Sequence, residues 1–454
     1  MAIKIKKGKK MKRKLLFILI LLSCSKLLSN ETKNLNEDLD FLCNTITEKY
    51  VCYPEMVTSG LDISRTKSRI KQDYKKSVLS HKVKKQEKYI SNEIDTWAIT
   101  YAIIKNLYSD FPIPDGHLSV YSKENSGYVF PDRFMYYSDL YARKEGAIFS
   151  VAFQNSENIP VGTMISGYDD CFVKWISKGN DIYRFCLLSD EYIASKELKI
   201  EGKKYNLNLV NNSYFLNKKN YCNLIETEKT IYFSLGSCEI EDMDVFHANV
   251  EKLKNKSLSK DLILDLRGNR GGLNTFIPEV ISAYLYGHDK RLTENFYELL
   301  INVDGMKYKL GSGYKQLPAP KKKLPLPQLH AISTDKKIYI LMDTLTFSAA
   351  EMGISITMME NEDMVVLIGE KTKGGAVFGD VNYYELPNSK IQIGLCSVDR
   401  RNTSFFNNEY WHGETYGFFP DYWTTNEDLI PTLQILTGDD SVPMILAGLK
   451  KGQI

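Results

Sequence analysis

Histidine is scarce in this chain, with six among 454 residues, and long apolar runs are scarcer. No C-x-x-C pair and no Cys/His cluster with zinc spacing occurs, so a structural zinc module is excluded. Neither G-x-G-x-x-G nor G-x-x-x-x-G-K-[ST] is present, which removes the common nucleotide loops. A mean hydropathy of −0.29 with one apolar run near the start excludes a polytopic membrane protein. An excess of charge of one sign is also lacking, with 59 Lys and Arg against 56 Asp and Glu. Residues 1 to 23 hold eight of those bases (Lys4, Lys6, Lys7, Lys9, Lys10, Lys12, Arg13, Lys14) and no acid, leaving 51 basic against 56 acidic residues in the remainder. A nucleic-acid partner therefore has no global electrostatic support. What is present, 43% hydrophobic, 12% aromatic and 25% charged residues, suits a core-forming globular chain of two or three domains. It does not suit a disordered tail or a small disulfide scaffold.

The one apolar run, Leu15 to Leu22, is eight residues long, too short to span a bilayer and long enough for the central region of a signal peptide. Leu21-Leu22-Ser23-Cys24 resembles a bacterial lipobox in which Cys24 becomes the lipidated first residue. Residues 1–23 are expected to be a lipoprotein-type signal peptide and 24–36 a polar tether. The expected location is the cell envelope, periplasm or outer surface, with membrane attachment through a lipid on Cys24. Seven cysteines then remain (Cys43, Cys52, Cys171, Cys186, Cys222, Cys238, Cys396), an odd number that cannot all pair. Cys43 and Cys52 are near enough in sequence to bridge.

Residues 37–135 carry apolar residues at helical spacing (Leu39, Leu42, Ile46; Trp97, Ile99, Ala102, Ile103, Leu107) and predict an N-terminal helical region. Residues 140–215 change to short alternating strands with Gly and Asn turns, a small β-rich module. From about 220 to 454 strands alternate with helices: Thr230 to Ser234, a helix near Asp244 to Lys254, the strand Asp261 to Leu266, and a strand ending at Met342 before a helix from Ser348. That order predicts an α/β unit with parallel strands. The stretch Gln316 to Gln328, with four prolines and three consecutive lysines, reads as a solvated loop.

Three segments carry chemistry. Asp265-Leu266-Arg267-Gly268-Asn269-Arg270-Gly271-Gly272 follows a buried strand, where glycines let the backbone turn and leave N–H groups to face a ligand. Thr346-Phe347-Ser348-Ala349-Ala350-Glu351 ends another strand and opens a helix. There Ser348 is either an N-cap or a nucleophile whose charge the helix start and the Ala349 N–H would favour. Pro114-Asp115-Gly116-His117-Leu118 turns into a strand, and a serine needs a base such as His to take its proton. His81 and His247 lie in predicted helices and read as solvated or structural.

These segments, followed by Gly369-Glu370-Lys371-Thr372-Lys373-Gly374-Gly375, Leu386-Pro387-Asn388-Ser389 and Glu414-Thr415-Tyr416-Gly417-Phe418-Phe419-Pro420-Asp421, run in an order that resembles the C-terminal processing (tail-specific) serine peptidases. The D-G-H segment is similar to that of the tricorn-like and retinoid-binding-protein-like Ser/His/Glu branch. The resemblance implies an α/β fold with an αβ-sandwich peptidase core of the ClpP/crotonase-like type, an N-terminal helical segment, and a PDZ-like module at 140–215. It implies Ser348 as nucleophile, His117 as general base and then acid, and Glu414 orienting the imidazole. The oxyanion donors would be the N–H groups of Ala349 and of Gly271 or Gly272. The family's alternative Ser/Lys scheme places Gly375 in the lysine slot, with Lys373 two residues early, so Lys373 is the alternative base. The implied activity is an exported serine endopeptidase acting on protein or peptide substrates through an acyl-enzyme, without cofactor or metal. The alternatives are a catalytically inactive relative that binds a peptide or apolar ligand, and an adhesive surface lipoprotein.

Overall fold

Leu35, Leu39, Leu42 and Ile46 are buried along one side of the first helix, α1, over residues 31–49, the outcome that their spacing predicts. The computed structural model describes residues 31–85, 94–123, 126–146, 148–211, 222–289, 307–310, 313–316, 334–403, 406 and 409–442. The expected signal peptide, the Cys24 lipidation site, the first part of the tether and most of the proline- and lysine-rich loop lie outside the described residues. Helices α2 (Tyr53–Thr58), α3 (Ile63–Lys85) and α4 (Thr96–Asp110) follow α1. Asp95 caps α4 by accepting the Ala98 N–H at 2.9 Å. Among the described residues no helix is long and apolar enough to cross a membrane.

Short strands then lead along the chain: β1 (Ser119–Tyr121), β2 (Ser126–Tyr128), β3 (Phe134–Glu145), β4 (Ile148–Val151), β5 (Met164–Ile165), β6 (Phe172–Lys174), β7 (Ile182–Ser189), β8 (Ser195–Ile200) and β9 (Lys203–Asn208). The α/β part comprises β10 (Cys222–Glu226), β11 (Thr230–Leu235), α5 (Met243–Lys254), β12 (Asp261–Asp265), α6 (Phe276–Tyr286), β13 (Lys307–Leu310), β14 (Gly313–Gln316), β15 (Ile338–Met342), α7 (Ala349–Asn361) and β16 (Val365–Gly369). It ends with β17 (Phe378–Glu385), β18 (Gln392–Asp399), β19 (Tyr422–Trp423) and α8 (Leu429–Thr437).

These elements form two units. The first comprises Met1–Phe130, Lys307–Lys315 and Phe378–Asp399. Its sheet has the order β14-β13-β18-β1-β2, with β17 also on β18. Strands β17 and β18 thus leave the C-terminal α/β region and pair with the N-terminal part of the chain, Ser119 lying opposite Gly394. The Leu386-Pro387-Asn388-Ser389 turn is held by fully buried Asp38 of α1, which accepts the Asn388 N–H at 2.7 Å and the Ser389 N–H at 2.9 Å.

The second unit comprises Pro131–Met306, Gln316–Val377 and Arg400–Ile454. It contains the antiparallel sheet β5-β4-β3-β7-β6 and the β8–β9 hairpin, packed around Leu140, Phe149, Ile165, Phe185 and Leu198. It also contains the sheet β10-β11-β12-β15-β16-β19, parallel from β11 to β19. Strands β11 and β15 are buried at every position, the continuous apolar pattern of a parallel sheet covered on both faces. The fold is α/β, as the alternation of strands and helices predicts. Cys43 and Cys52 form no disulfide.

Candidate active site

The loop after β12 is fixed from within. Asp265, fully buried, pairs with the Arg267 guanidinium at 2.7 Å and accepts the Tyr232 hydroxyl at 2.6 Å, so this acid and base anchor the loop. Gly268 N–H donates to Asp343 Oδ1 at 2.9 Å, and Phe347 N–H donates to Asn269 O at 2.9 Å. The glycine loop is thereby stitched to the turn that follows β15. Gly271, at φ +89°, lies so close to that turn that an added Cβ would stand 2.7 Å from Ser348 Cβ and 2.9 Å from Ala349 N. Only glycine permits both this conformation and this approach.

Ser348 stands at the N-cap position of α7 with φ 56° and ψ −117°. A non-glycine residue in that region stores of order 1–3 kcal/mol of strain, which the surrounding structure must hold. Glu351 holds it: Oε2 accepts the Ser348 N–H at 3.0 Å. Ser348 and Glu351 form a capping box, in which the helix carboxylate reaches back to the serine's backbone N–H. The Ser348 side chain is half-buried, and the adjoining Ala349 N–H is among the helix-start donors that have no intrahelical acceptor. Gly271 N–H is already donated to Asn269 Oδ1 at 2.9 Å.

Glu351 was quoted in the sequence motif without a role, and it is the hub of the site. The fully buried carboxylate also accepts the Thr372 hydroxyl, the Gly374 N–H at 2.7 Å and the Gly375 N–H at 2.8 Å. Burial pushes its pKa up, while these donors favour the ionised form. The Glu414 segment is zipped to the same loop: Thr415 N–H donates to Gly374 O at 2.7 Å and Phe418 N–H to Thr372 Oγ1 at 2.8 Å. Glu414 is buried, with Oε2 3.4 Å from the Val377 N–H, so it is not a surface carboxylate. His412 stacks on Phe419 at 3.8 Å between ring centroids.

Ser348, Ala349, Gly271, Gly272, Lys373 and Glu414 all belong to the second unit, and His117 belongs to the first. Asp115 shapes the His117 turn, its Oδ1 accepting the His117 N–H at 2.8 Å and its Oδ2 the Tyr50 hydroxyl at 2.9 Å. Such a loop is the Asx-type turn that an aspartate favours two residues ahead.

Residues 230–394, the stretch that spans the glycine loop, the Ser348 turn and the Glu351 loop, match the profile of peptidase family S41. This stretch of the chain is similar to that family. No curated protein matches it. Among solved structures it is similar to mature CPAF, at 14% identity over 93% of this chain and 99% of that one with a TM-score of 0.40. It is also similar to a putative peptidase from Parabacteroides merdae, at 15% identity over 92% and 98% of the two chains with a TM-score of 0.38. The photosystem II D1 C-terminal processing protease is similar at 12% identity over 90% and 98%, with a TM-score of 0.36.

Gly375, which the resemblance aligns with a lysine, has no room for a side chain. A Cβ on Gly375 would stand 1.9 Å from the Phe347 ring, so no side chain fits there unless Phe347 moves. Lys373 instead reaches Asp132 at 3.1 Å and lies over the Phe347 ring at 4.7 Å from its centroid. Burial lowers its pKa, and Asp132 opposes that shift.

Two further buried charges follow β16, and sequence reasoning gave them no part. Burial raises the Glu370 pKa to about 7 against the Tyr137 hydroxyl that donates to it at 2.8 Å. Burial lowers that of Lys371 to about 8, its ammonium donating to Thr372 O at 2.6 Å. The folded chain keeps the Glu370 proton between pH 4.5 and about 7, where the unfolded chain has released it, so this contribution to stability is lost as pH rises to about 7. The folded chain releases the Lys371 proton between about 8 and 10.5, where the unfolded chain holds it, so stability is regained over that range. Each swing is about 3 kcal/mol at 1.36 kcal/mol per pKa unit. Glu370→Gln is expected to abolish the fall and Lys371→Met the rise, in urea unfolding measured at stepped pH. A difference between wild type and either variant that does not change with pH would refute the assignment.

Proposed function

We propose that this chain is an exported serine endopeptidase of family S41, lipid-anchored through Cys24, which hydrolyses peptide bonds of proteins or peptides with Ser348, His117 and Glu414. His117 takes the hydroxyl proton as Ser348 Oγ attacks the scissile carbonyl, and the N–H groups of Ala349 and of Gly271 or Gly272 receive the oxyanion. Collapse expels the amine, which takes the proton from His117. A water then repeats the sequence on the acyl-enzyme and restores the serine. Glu414 keeps the imidazole in the tautomer that accepts from Ser348 and stabilises the imidazolium that forms.

The observation that carries this reading is the Ser348 turn itself: a strained backbone at a helix start, pressed against a glycine loop and held by a buried carboxylate. Strain of that kind persists at sites where side-chain direction matters. Treatment of the purified protein with a fluorophosphonate, followed by mass spectrometry of the digest, is expected to place a single adduct on Ser348. A folded protein that carries no adduct there would defeat the proposal.

Lys373 supports the site through its ion pair in this scheme and moves no proton. Lys373→Ala is therefore expected to retain labelling within about threefold. A loss on the scale of removing a general base, about 10²-fold or more, would move the role of base to the lysine.

A further inference from the structure

The register of β1 on β18 has a chemical consequence. Ser119 lies opposite Gly394 and Val120 opposite Ile393. Two residues before the start of β1 stands His117, and two residues beyond Gly394 on β18 stands Cys396. Asp115, at the start of the same turn, completes a cluster in which one carboxylate oxygen, one His117 ring nitrogen and Cys396 Sγ lie within 4.8 Å of one another. Cys396 Sγ is 3.6 Å from Asp115 Oδ1. Asp115 and Cys396 are fully buried, and His117 is 8% exposed.

A thiolate, an imidazole and a carboxylate are the donor set that suits zinc, which takes three protein ligands and one water in open sites. Bond lengths of about 2.3 Å to sulfur and 2.0 Å to oxygen in a tetrahedron put those two atoms about 3.5 Å apart, close to the spacing found. Charge also balances, since two anions and a neutral imidazole around a dication leave no net charge in a buried place, which limits the desolvation cost. On binding, the Cys396 thiol releases its proton to solvent, sulfur and nitrogen lone pairs form the metal bonds, and no electron is transferred.

We propose that Asp115, His117 and Cys396 bind a divalent cation of the zinc type, and that occupation switches the peptidase off by claiming the His117 ring. The binding half stands on this cluster alone. The inhibitory half rests on the reading of His117 as the general base.

Cobalt titration of the metal-stripped full chain tests the binding half. One equivalent of Co2+ is expected to give the visible bands of a tetrahedral site together with a thiolate-to-cobalt charge-transfer band, both displaced by Zn2+. Cys396→Ser is expected to lose the charge-transfer band and to bind Zn2+ at least about 10-fold more weakly, whereas Cys43→Ser keeps the band. Absence of a thiolate band in the wild type, or its persistence in Cys396→Ser, would overturn the site. For the inhibitory half, the ratio of Ser348 labelling rates with and without Zn2+ is expected to fall at least about 10-fold in the wild type and to stay near one in Cys396→Ser. Zinc binding with an unchanged ratio would overturn the switch. Lack of labelling in the metal-free wild type would instead defeat the peptidase reading and leave the cobalt result standing.

Discussion

Ser348→Ala is expected to abolish fluorophosphonate labelling and to lower peptide hydrolysis by about 10⁴-fold or more, the scale on which removal of a serine nucleophile acts. The substitution is unusually clean here because alanine keeps the Cβ that faces Gly271. It also keeps the backbone N–H that Glu351 accepts at 3.0 Å. The strained φ of 56° is borne by either residue at similar cost. The unfolding midpoint should therefore change little, and lost activity reports lost chemistry. His117→Ala should lose labelling to a comparable extent, since an unassisted hydroxyl is a weak nucleophile. Hydrolysis that survives in Ser348→Ala above that of a mock preparation would mean that another group attacks the substrate. A midpoint that falls by many degrees would mean that the serine hydroxyl is structural.

The parts of the fold that the sequence made legible are those written in local pattern. β11, β12 and β15 are apolar runs bounded by charge, α1 and α4 carry stripes at helical spacing, and the Ser348 segment ends a strand and starts a helix where it was expected to. The glycines of the D-L-R-G-N-R-G-G segment were legible as a turn, although the Asn269 side chain that holds the Gly271 N–H was not. Long-range pairing was not legible. Nothing near Gly394 says that its partner is Ser119, because strand order is decided by which apolar faces and edges remain to be covered after local elements form. The buried charges were hidden for the same reason. Glu351, Glu370 and Lys371 look like ordinary polar positions of a helix and a turn, and their burial depends on partners such as Tyr137, 233 residues away from Glu370. A cluster of Gly, Thr and charge after an apolar strand is the one signal that could have flagged them, since such a segment must place its polar groups somewhere.

Glu351 is where stability and activity meet, and its removal carries the second large expected effect. The carboxylate accepts from the Ser348, Gly374 and Gly375 N–H groups and from the Thr372 hydroxyl. Truncation would strand four donors in a fully buried place. At about 1–3 kcal/mol for each buried group left without a partner, Glu351→Ala is expected to cost roughly 4 kcal/mol or more of unfolding free energy. Glu351→Gln decides why. The amide has nearly the same volume, so a packing role would leave it close to neutral. It offers only one acceptor oxygen, however, and its NH₂ would face N–H groups that also donate, so a role as acceptor predicts that Gln loses a large part of what Ala loses. Activity separates the two roles further. Without the carboxylate that pulls on its N–H, Ser348 is free to relax from φ 56° toward an ordinary helix-cap conformation, which turns the hydroxyl away from the geometry in which it is activated. Labelling of the folded Gln variant, measured well below its unfolding midpoint, should therefore slow by at least about 10-fold, with the conservative Glu351→Asp restoring part of it. Wild-type rates in Glu351→Gln would sever the link between this hub and the nucleophile, and reduce Glu351 to a buried acid that steadies two loops.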